Sequence, residues 1–395
     1  MCEERWIEGI SKENYDSFCS SFQKNYNLFK EKQIVIFGAG IMGLQFLYIL
    51  EELGISDALF CDNDEKKWKE KKRIAGKKVL CPNALQGQTE KFFVFLAMER
   101  YGECANQLNQ LGYEENLNWV NLKNCSETKL LEDFQRNRKA STLILGDCTS
   151  NVISIKDCCK SSIAEMLDGE NEIKVLALNS LYMRWYYNLL LMSLKTMPDI
   201  KKVILLLDVS IFQEMYSFFS NTQHTAVLEK LRDISKIEKD ETNLFINEAS
   251  KREKKSINLG QMSPNRTDSL SEKELVQARK IHMRLNYLFP IKEQTESIEY
   301  LDKFVQTCVE KEIETYIVIL PVNHKVGERY FPDTFYTRYE KIRDCVMEHV
   351  LKEKGKILDE SYSLDEEDFI SLRSVNEGIK EDGRKKLVKD IQSIL

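Results

Sequence analysis

Five short apolar runs in the C-terminal two-thirds of the chain each end in side chains able to do chemistry. Residues 142–145 lead into Gly146-Asp147-Cys148, and 174–178 into Asn179-Ser180. Residues 202–207 lead into Asp208, 316–320 into Pro321-Val322-Asn323-His324, and 356–358 into Asp359. Such runs, separated by helical stretches, predict a parallel α/β sheet, and in an open sheet of that kind the strand ends share one ligand-binding edge. A thiol is a stronger nucleophile than a hydroxyl and is partly ionised near neutral pH, so Cys148 is the candidate nucleophile. It stands between a strand end and a predicted helix, whose N-terminus would favour the thiolate. His324 is the candidate base, Asp208 or Asp359 its orienter, and Asn179 or Ser180 the donor to an oxyanion, with Asn323 a further binding group. The same pattern fits a domain that keeps its fold and ligand edge without catalysis, with Cys148 as a small packed residue.

The rest of the inventory narrows the chemistry. The chain has eleven Cys and four His among 395 residues. The cysteines are odd in number, scattered, and include no C-x-x-C pair, so neither a disulfide framework nor a zinc site fits. Reduced thiols and no bound metal are expected. His224, His282 and His349 lack ligand-like neighbours in sequence and read as structural, and no His follows His349.

Near the N-terminus, the apolar run 33–37 is followed at once by Gly38-Ala39-Gly40-Ile41-Met42-Gly43 and a helical pattern, and a second run, 58–61, ends at Asp62. Strand, G-x-G-x-x-G and helix form the dinucleotide fingerprint. Gly38 permits the tight turn, Gly40 a close approach of backbone to phosphate and Gly43 the packing of helix on strand, and Asp62 is spaced to meet a ribose. A nucleotide or nucleotide-sugar is the expected ligand, with a turn that is purely structural as the competing reading. NAD-linked oxidoreduction needs a Tyr/Lys pair or a His beside the cofactor, and this domain has no His.

Length and composition set the frame. With 43% hydrophobic and 30% charged residues the chain holds two or three domains, and only 22 Gly and Pro argue against a β-sandwich or a long disordered linker. The net charge of −6 is spread along the sequence without a basic stripe, which excludes nucleic acid as a partner. The apolar stretch 176–194 is interrupted by Asn179, Arg184 and Asn188, and 203–212 by Asp208. Neither predicts a membrane span, and residues 1–15 carry no signal-peptide pattern, so a soluble cytoplasmic protein is expected. The predicted organisation is a helical lead-in (1–30), a Rossmann-like module (31–122), a connector (123–140) and a second α/β domain (141–395). Within the second domain, the charge-dense insertion 236–275 reads as a loop or lid.

Two resemblances follow from these motifs. "VIFGAGIMG", "LFCDNDEKKW" and "IAGKKVLCPNAL", within residues 32–122, resemble the N-terminal Rossmann-like module of sialic-acid and bacillosamine-type sugar O-acyltransferases. That implies a surface-glycan pathway and a nucleotide-sugar or glycan precursor as partner. The hexapeptide repeats of those transferases are absent, so no acetyl-CoA site is implied.

Residues 141–395 resemble the SGNH (GDSL-like) hydrolases through "LILGDCTSN", "KKVILLLDVSIF", "IVILPVNH" and "DFISLRSVNEGIKEDGRKKL". The resemblance implies a three-layer α/β/α domain and acyl transfer or deacylation of a glycan. In that family the nucleophilic Ser falls on Cys148. The C-terminal Asp and His fall on Ser371 and Ser374, or on Val375 and Gly378, depending on the anchor. The usual Ser-His-Asp triad is therefore absent. An acyl transfer through Cys148 and an inactive SGNH-like binding protein remain the two readings.

Overall fold

A computed structural model describes residues 9–69, 73–98, 101–123, 125–136, 139–168, 172–178, 181–213, 224–238, 240–253, 272–292, 294–370 and 378–395. The chain is mixed α/β and divides into two units. One runs to Cys125 and takes in Ser154–Asp157 and the described part of Met262–Leu275. The other comprises the remaining residues.

The first unit is built on a six-stranded sheet: β1 (Gln33–Phe37), β2 (Leu59–Cys61), β3 (Arg73–Ile74), β4 (Lys77–Leu80), β5 (Phe92–Leu96) and β6 (Trp119–Asn121), in the order β3-β4-β2-β1-β5-β6. All neighbours are parallel except the β3–β4 hairpin. Its helices are α1 (Lys12–Phe29), α2 (Ile41–Glu52), the single turn α3 (Glu65–Trp68) and α4 (Gly102–Gln110). β1 and β5 are apolar on both faces, as a central parallel strand must be. Val35, Phe37, Val94 and Leu96 pack with Cys104 and Leu108 of α4. On the other face the Phe95 ring lies 5.5 Å from Phe29 of α1 and 4.7 Å from Phe46 of α2. The stretch read as a lead-in is thus a covering helix of the sheet, because Phe18, Phe22 and Phe29 place one apolar stripe against it.

The glycine turn is closed by contact. A Cβ on Gly43 would stand 1.9 Å from the carbonyl oxygen of Gly38. Gly43→Ala is therefore expected to lower the stability of this unit by about 1–3 kcal/mol or more. Chemical denaturation of the two proteins checks this.

The second unit begins with α5 (Ser126–Gln135). Leu130 and Phe134, four residues apart, enter its core, so the stretch read as a connector is part of the domain. Five parallel strands follow: β7 (Thr142–Gly146), β8 (Ile173–Ala177), β9 (Lys202–Leu207), β10 (Glu314–Ile319) and β11 (Lys356–Asp359). Their order in the sheet is β8-β7-β9-β10-β11. Alternation divides their side chains between two layers. Leu143, Leu145, Leu205, Leu207 and Ile317 face one cluster, and Ile144, Ile204, Leu206 and Val318 face the other. The first cluster is covered by α8 (Met183–Thr196) and α12 (Glu296–Glu310), the second by the short α7 (Ile163–Leu167) and α15 (Glu381–Gln392). The remaining helices are α6 (Cys148–Asn151), α9 (Thr225–Ser235), α10 (Asp240–Glu253), α11 (Glu272–Tyr287), α13 (His324–Tyr330) and α14 (Phe335–Lys352).

The insertion is only partly the loop expected from its charge density. Its residues 240–253 form α10, because its carboxylates have a buried partner. Arg184 of α8 donates from Nε to Glu241 (3.1 Å) and from one terminal nitrogen to Glu248 (2.6 Å) and to Glu296 of α12 (3.1 Å). The guanidinium lies over the rings of Phe245 and Tyr300, and the Tyr300 hydroxyl donates to Glu241. Residues 254–271 lie outside the described residues. A second buried arginine, Arg384 of α15, donates to the carbonyls of Ile379 (2.6 Å), Cys159 (3.0 Å) and Ser161 (3.0 Å), fastening the C-terminal helix to the loop after β7.

Candidate functional site

The order β8-β7-β9 means that the chain leaves β7 in one direction and returns on its other side. The β7/β9 boundary is therefore the topological switch point, where an open α/β sheet binds ligands. Leu145 pairs in register with Leu205, so Cys148 and Asp208, each three residues farther on, leave adjacent strands at the same level. The turn after β7 is tight. A Cβ on Gly146 would meet Ser150 Oγ at 2.3 Å. Asp147 caps the turn, its carboxylate accepting from the Thr149 N–H at 2.9 Å. Thr149, Ser150 and Asn151 are buried while Cys148 is partly exposed. At four residues, α6 is too short to supply the helix dipole expected from the sequence.

Asp208 is committed on both oxygens. One accepts from the Ser210 N–H (2.8 Å), the other from the Tyr287 hydroxyl of α11 (3.0 Å). Asp359 accepts from the backbone and hydroxyl of Ser361. Asn323 begins α13, its side-chain oxygen accepting from Val326 N–H at 3.3 Å. Its side-chain nitrogen is buried without a hydrogen-bond partner among the described residues. Asn179 and Ser180 lie outside the described residues.

His324 is placed differently from the sequence expectation. Its Nδ1 shares a hydrogen bond of 2.7 Å with the Tyr336 hydroxyl, its ring lies 5.0 Å from that of Tyr362, and it meets the backbone of Leu364. Tyr336 is on α14 and Tyr362 follows β11, so the ring is held on the β11 side of β10, two strands from Cys148. Cys148 and Asp208 are not among its partners. His324 starts the helix after β10, and spacing along the sequence could not show which way α13 turns its ring. The tyrosines that take Asp208 and His324 were the missed residues. Their one signal was aromatic content, in the segment before β10 for Tyr287 and in the segments after β10 and β11 for Tyr336 and Tyr362.

The other histidines are structural where described. His224 meets Glu127 of α5 at 2.6 Å, and His349, in the last turn of α14, meets Asp302 of α12 at 3.0 Å. None of the ten described cysteines forms a disulfide. No group of three metal-ligating side chains occurs among the described residues, and no described helix is long and apolar enough to cross a membrane.

In the first unit Gly40 stands at the start of α2 and Gly38 and Gly43 touch. Asp62 is engaged by the turn itself. One oxygen accepts from Ala39 N–H (2.8 Å) and Lys67 Nζ (2.8 Å), and the other from Asp64 N–H (2.9 Å). Lys67 Nζ also reaches the Ala39 carbonyl.

No family model and no curated protein matches the chain. Among solved structures it is similar to a "putative platelet activating factor" from Streptococcus pneumonia. That match has 10% identity and a TM-score of 0.34, and covers 68% of this chain and 90% of that one. It is also similar to a "putative acylhydrolase" from Bacteroides fragilis, at 7% identity and a TM-score of 0.34, covering 69% of this chain and 97% of that one. Similarity of this degree assigns neither a family nor an activity.

Burial, and then the neighbouring Lys325, hold the His324 imidazole below its ordinary value of 6.5, against the opposing pull of Asp365 and the Leu364 backbone. The unfolded chain therefore binds this proton more readily, and stability falls as pH drops below about 6.5 towards the folded value. Unfolding by urea at about pH 7.5 and about pH 5.5 is expected to show a smaller acid loss for His324→Phe than for wild type.

Proposed function

We propose that this chain acts in a surface-glycan pathway, with the second unit binding an acylated polysaccharide or its precursor and Cys148 receiving the acyl group. The observation that carries the reading is the partly exposed thiol at the switch point, between buried neighbours. In the proposed step Cys148 Sγ attacks the acyl carbonyl. The S–C bond forms as the C–O bond to the sugar breaks; the thiol proton passes to solvent and the sugar oxygen takes a proton from solvent as it departs. Water or an acceptor hydroxyl then takes the acyl group from the thioester and the thiol is restored. Asn179, Ser180 and Asn323 remain the proposed donors to the developing oxyanion. The glycan assignment is supported by the motifs of residues 32–122.

Incubation with p-nitrophenyl acetate is expected to give an acyl adduct that peptide mass mapping locates on Cys148, and Cys148→Ala is expected to lose it. An adduct elsewhere, or none, overturns the reading. The second reading, a non-catalytic SGNH-like binding domain, is favoured by the engagement of His324 with Tyr336 rather than with Cys148. Under it, Cys148→Ala binds an acylated glycan as well as wild type does.

For the first unit we propose a nucleotide-sugar at Gly38, Gly40, Gly43 and Asp62. The ligand would have to take Asp62 from Lys67, leaving that ammonium to meet phosphate. A thermal-shift series with UDP-sugars, CMP-sugars and NAD is expected to show stabilisation by a nucleotide-sugar, reaching about 2.7 kcal/mol at a hundredfold excess over Kd. A flat response to all three rejects the site.

A further inference from the structure

The switch point carries a second chemical group that the sequence did not single out. Tyr186 is in the first turn of α8, the helix that starts at the same sheet edge after β8. It packs in the cluster containing Leu145 and Leu207, the last residues of β7 and β9 on that face of the sheet. Only 1% of the residue is exposed, and its hydroxyl has no hydrogen-bond partner among the described residues. A buried hydroxyl left unpaired costs about 1–3 kcal/mol, so its retention calls for a partner that arrives in another state of the site. The titratable groups that face it are Asp147 and Cys148 after β7 and Asp208 after β9. Burial first, and then these acidic neighbours, push its ionisation well above the ordinary 10, so it stays a neutral donor. Both carboxylates already accept hydrogen bonds, Asp147 from Thr149 and Asp208 from Ser210 and Tyr287.

We propose that Tyr186 is the positioning residue of Cys148: its hydroxyl donates to the sulfur when the thiol ionises, in place of the absent histidine. The thiol proton goes to solvent and the phenol keeps its own. A hydrogen bond to the charged form favours that form, which offsets the two carboxylates that oppose a thiolate. The inference rests on Cys148 as the reacting group, yet it concerns the thiol and not the acyl donor. Its test therefore fails or succeeds independently of the acyl adduct.

The experiment is alkylation of the full chain by iodoacetamide across a pH series. This forms an S–C bond at Cys148 and releases iodide, and it is read at the Cys148 peptide by mass. In Tyr186→Phe the half-maximal pH is expected to rise by about one unit, the rate near neutral pH to fall roughly tenfold, and the high-pH plateau to stay unchanged. Superimposed profiles would overturn the proposal. A measurement that needs no Tyr186 variant is the thiolate absorbance of wild type minus that of Cys148→Ser. Half-titration at or below the ordinary thiol value of about 8.5 supports the donor, and half-titration clearly above it is the result of carboxylates acting alone.

Discussion

Everything at the candidate site depends on the parallel direction of five strands. Parallel neighbours cannot be joined by hairpins, so each strand of the second unit must return through a crossover, and every strand ends at the same edge. That requirement collects Asp147, Cys148, Asp208, Asn323 and Asp359 from segments more than two hundred residues apart. It also explains why the strands read as unbroken apolar runs. Leu145 and Ile144, or Leu205 and Ile204, are buried on opposite faces, so the C-terminal halves of these two strands carry no polar side chain.

The strands and the edge were therefore legible in the sequence, because burial on both faces writes a continuous signal. The direction of each side chain past the strand was not. His324 follows β10 as expected, but its ring answers to Tyr336, twelve residues on, and to Tyr362 beyond the next strand. No spacing rule encodes such a choice between two neighbours. The same limit applies to the insertion, where acidic residues in a charged segment gave no sign that Arg184, more than fifty residues earlier, gathers two of them into a buried ion network. Leu130, Leu131 and Phe134 are a smaller case: three apolar positions in a polar stretch suffice to draw a helix into a core.

The glycine turn of the first unit shows how a motif can satisfy itself. Its sequence pattern fits a phosphate cradle, and its geometry has the close helix–strand contact that Gly43 alone permits. The acidic residue that should await a ribose is already bonded to the turn's backbone and to Lys67. Motif and local structure thus agree on shape while differing on whether the polar groups stand ready for a guest.

The attachment of α10 has a consequence for how the fold can change over time. The helix is fixed to the body of the domain by Phe245 and Ile246, by Arg184, which also serves Glu296, and by the Tyr300 hydroxyl on Glu241. The sheet ladder does not pass through it. A segment fastened this way behaves as a cassette. Change at its exposed positions, such as Leu244, leaves the sheet ladder untouched, whereas Phe245 and Ile246 are tied to the core and Glu241 and Glu248 to Arg184.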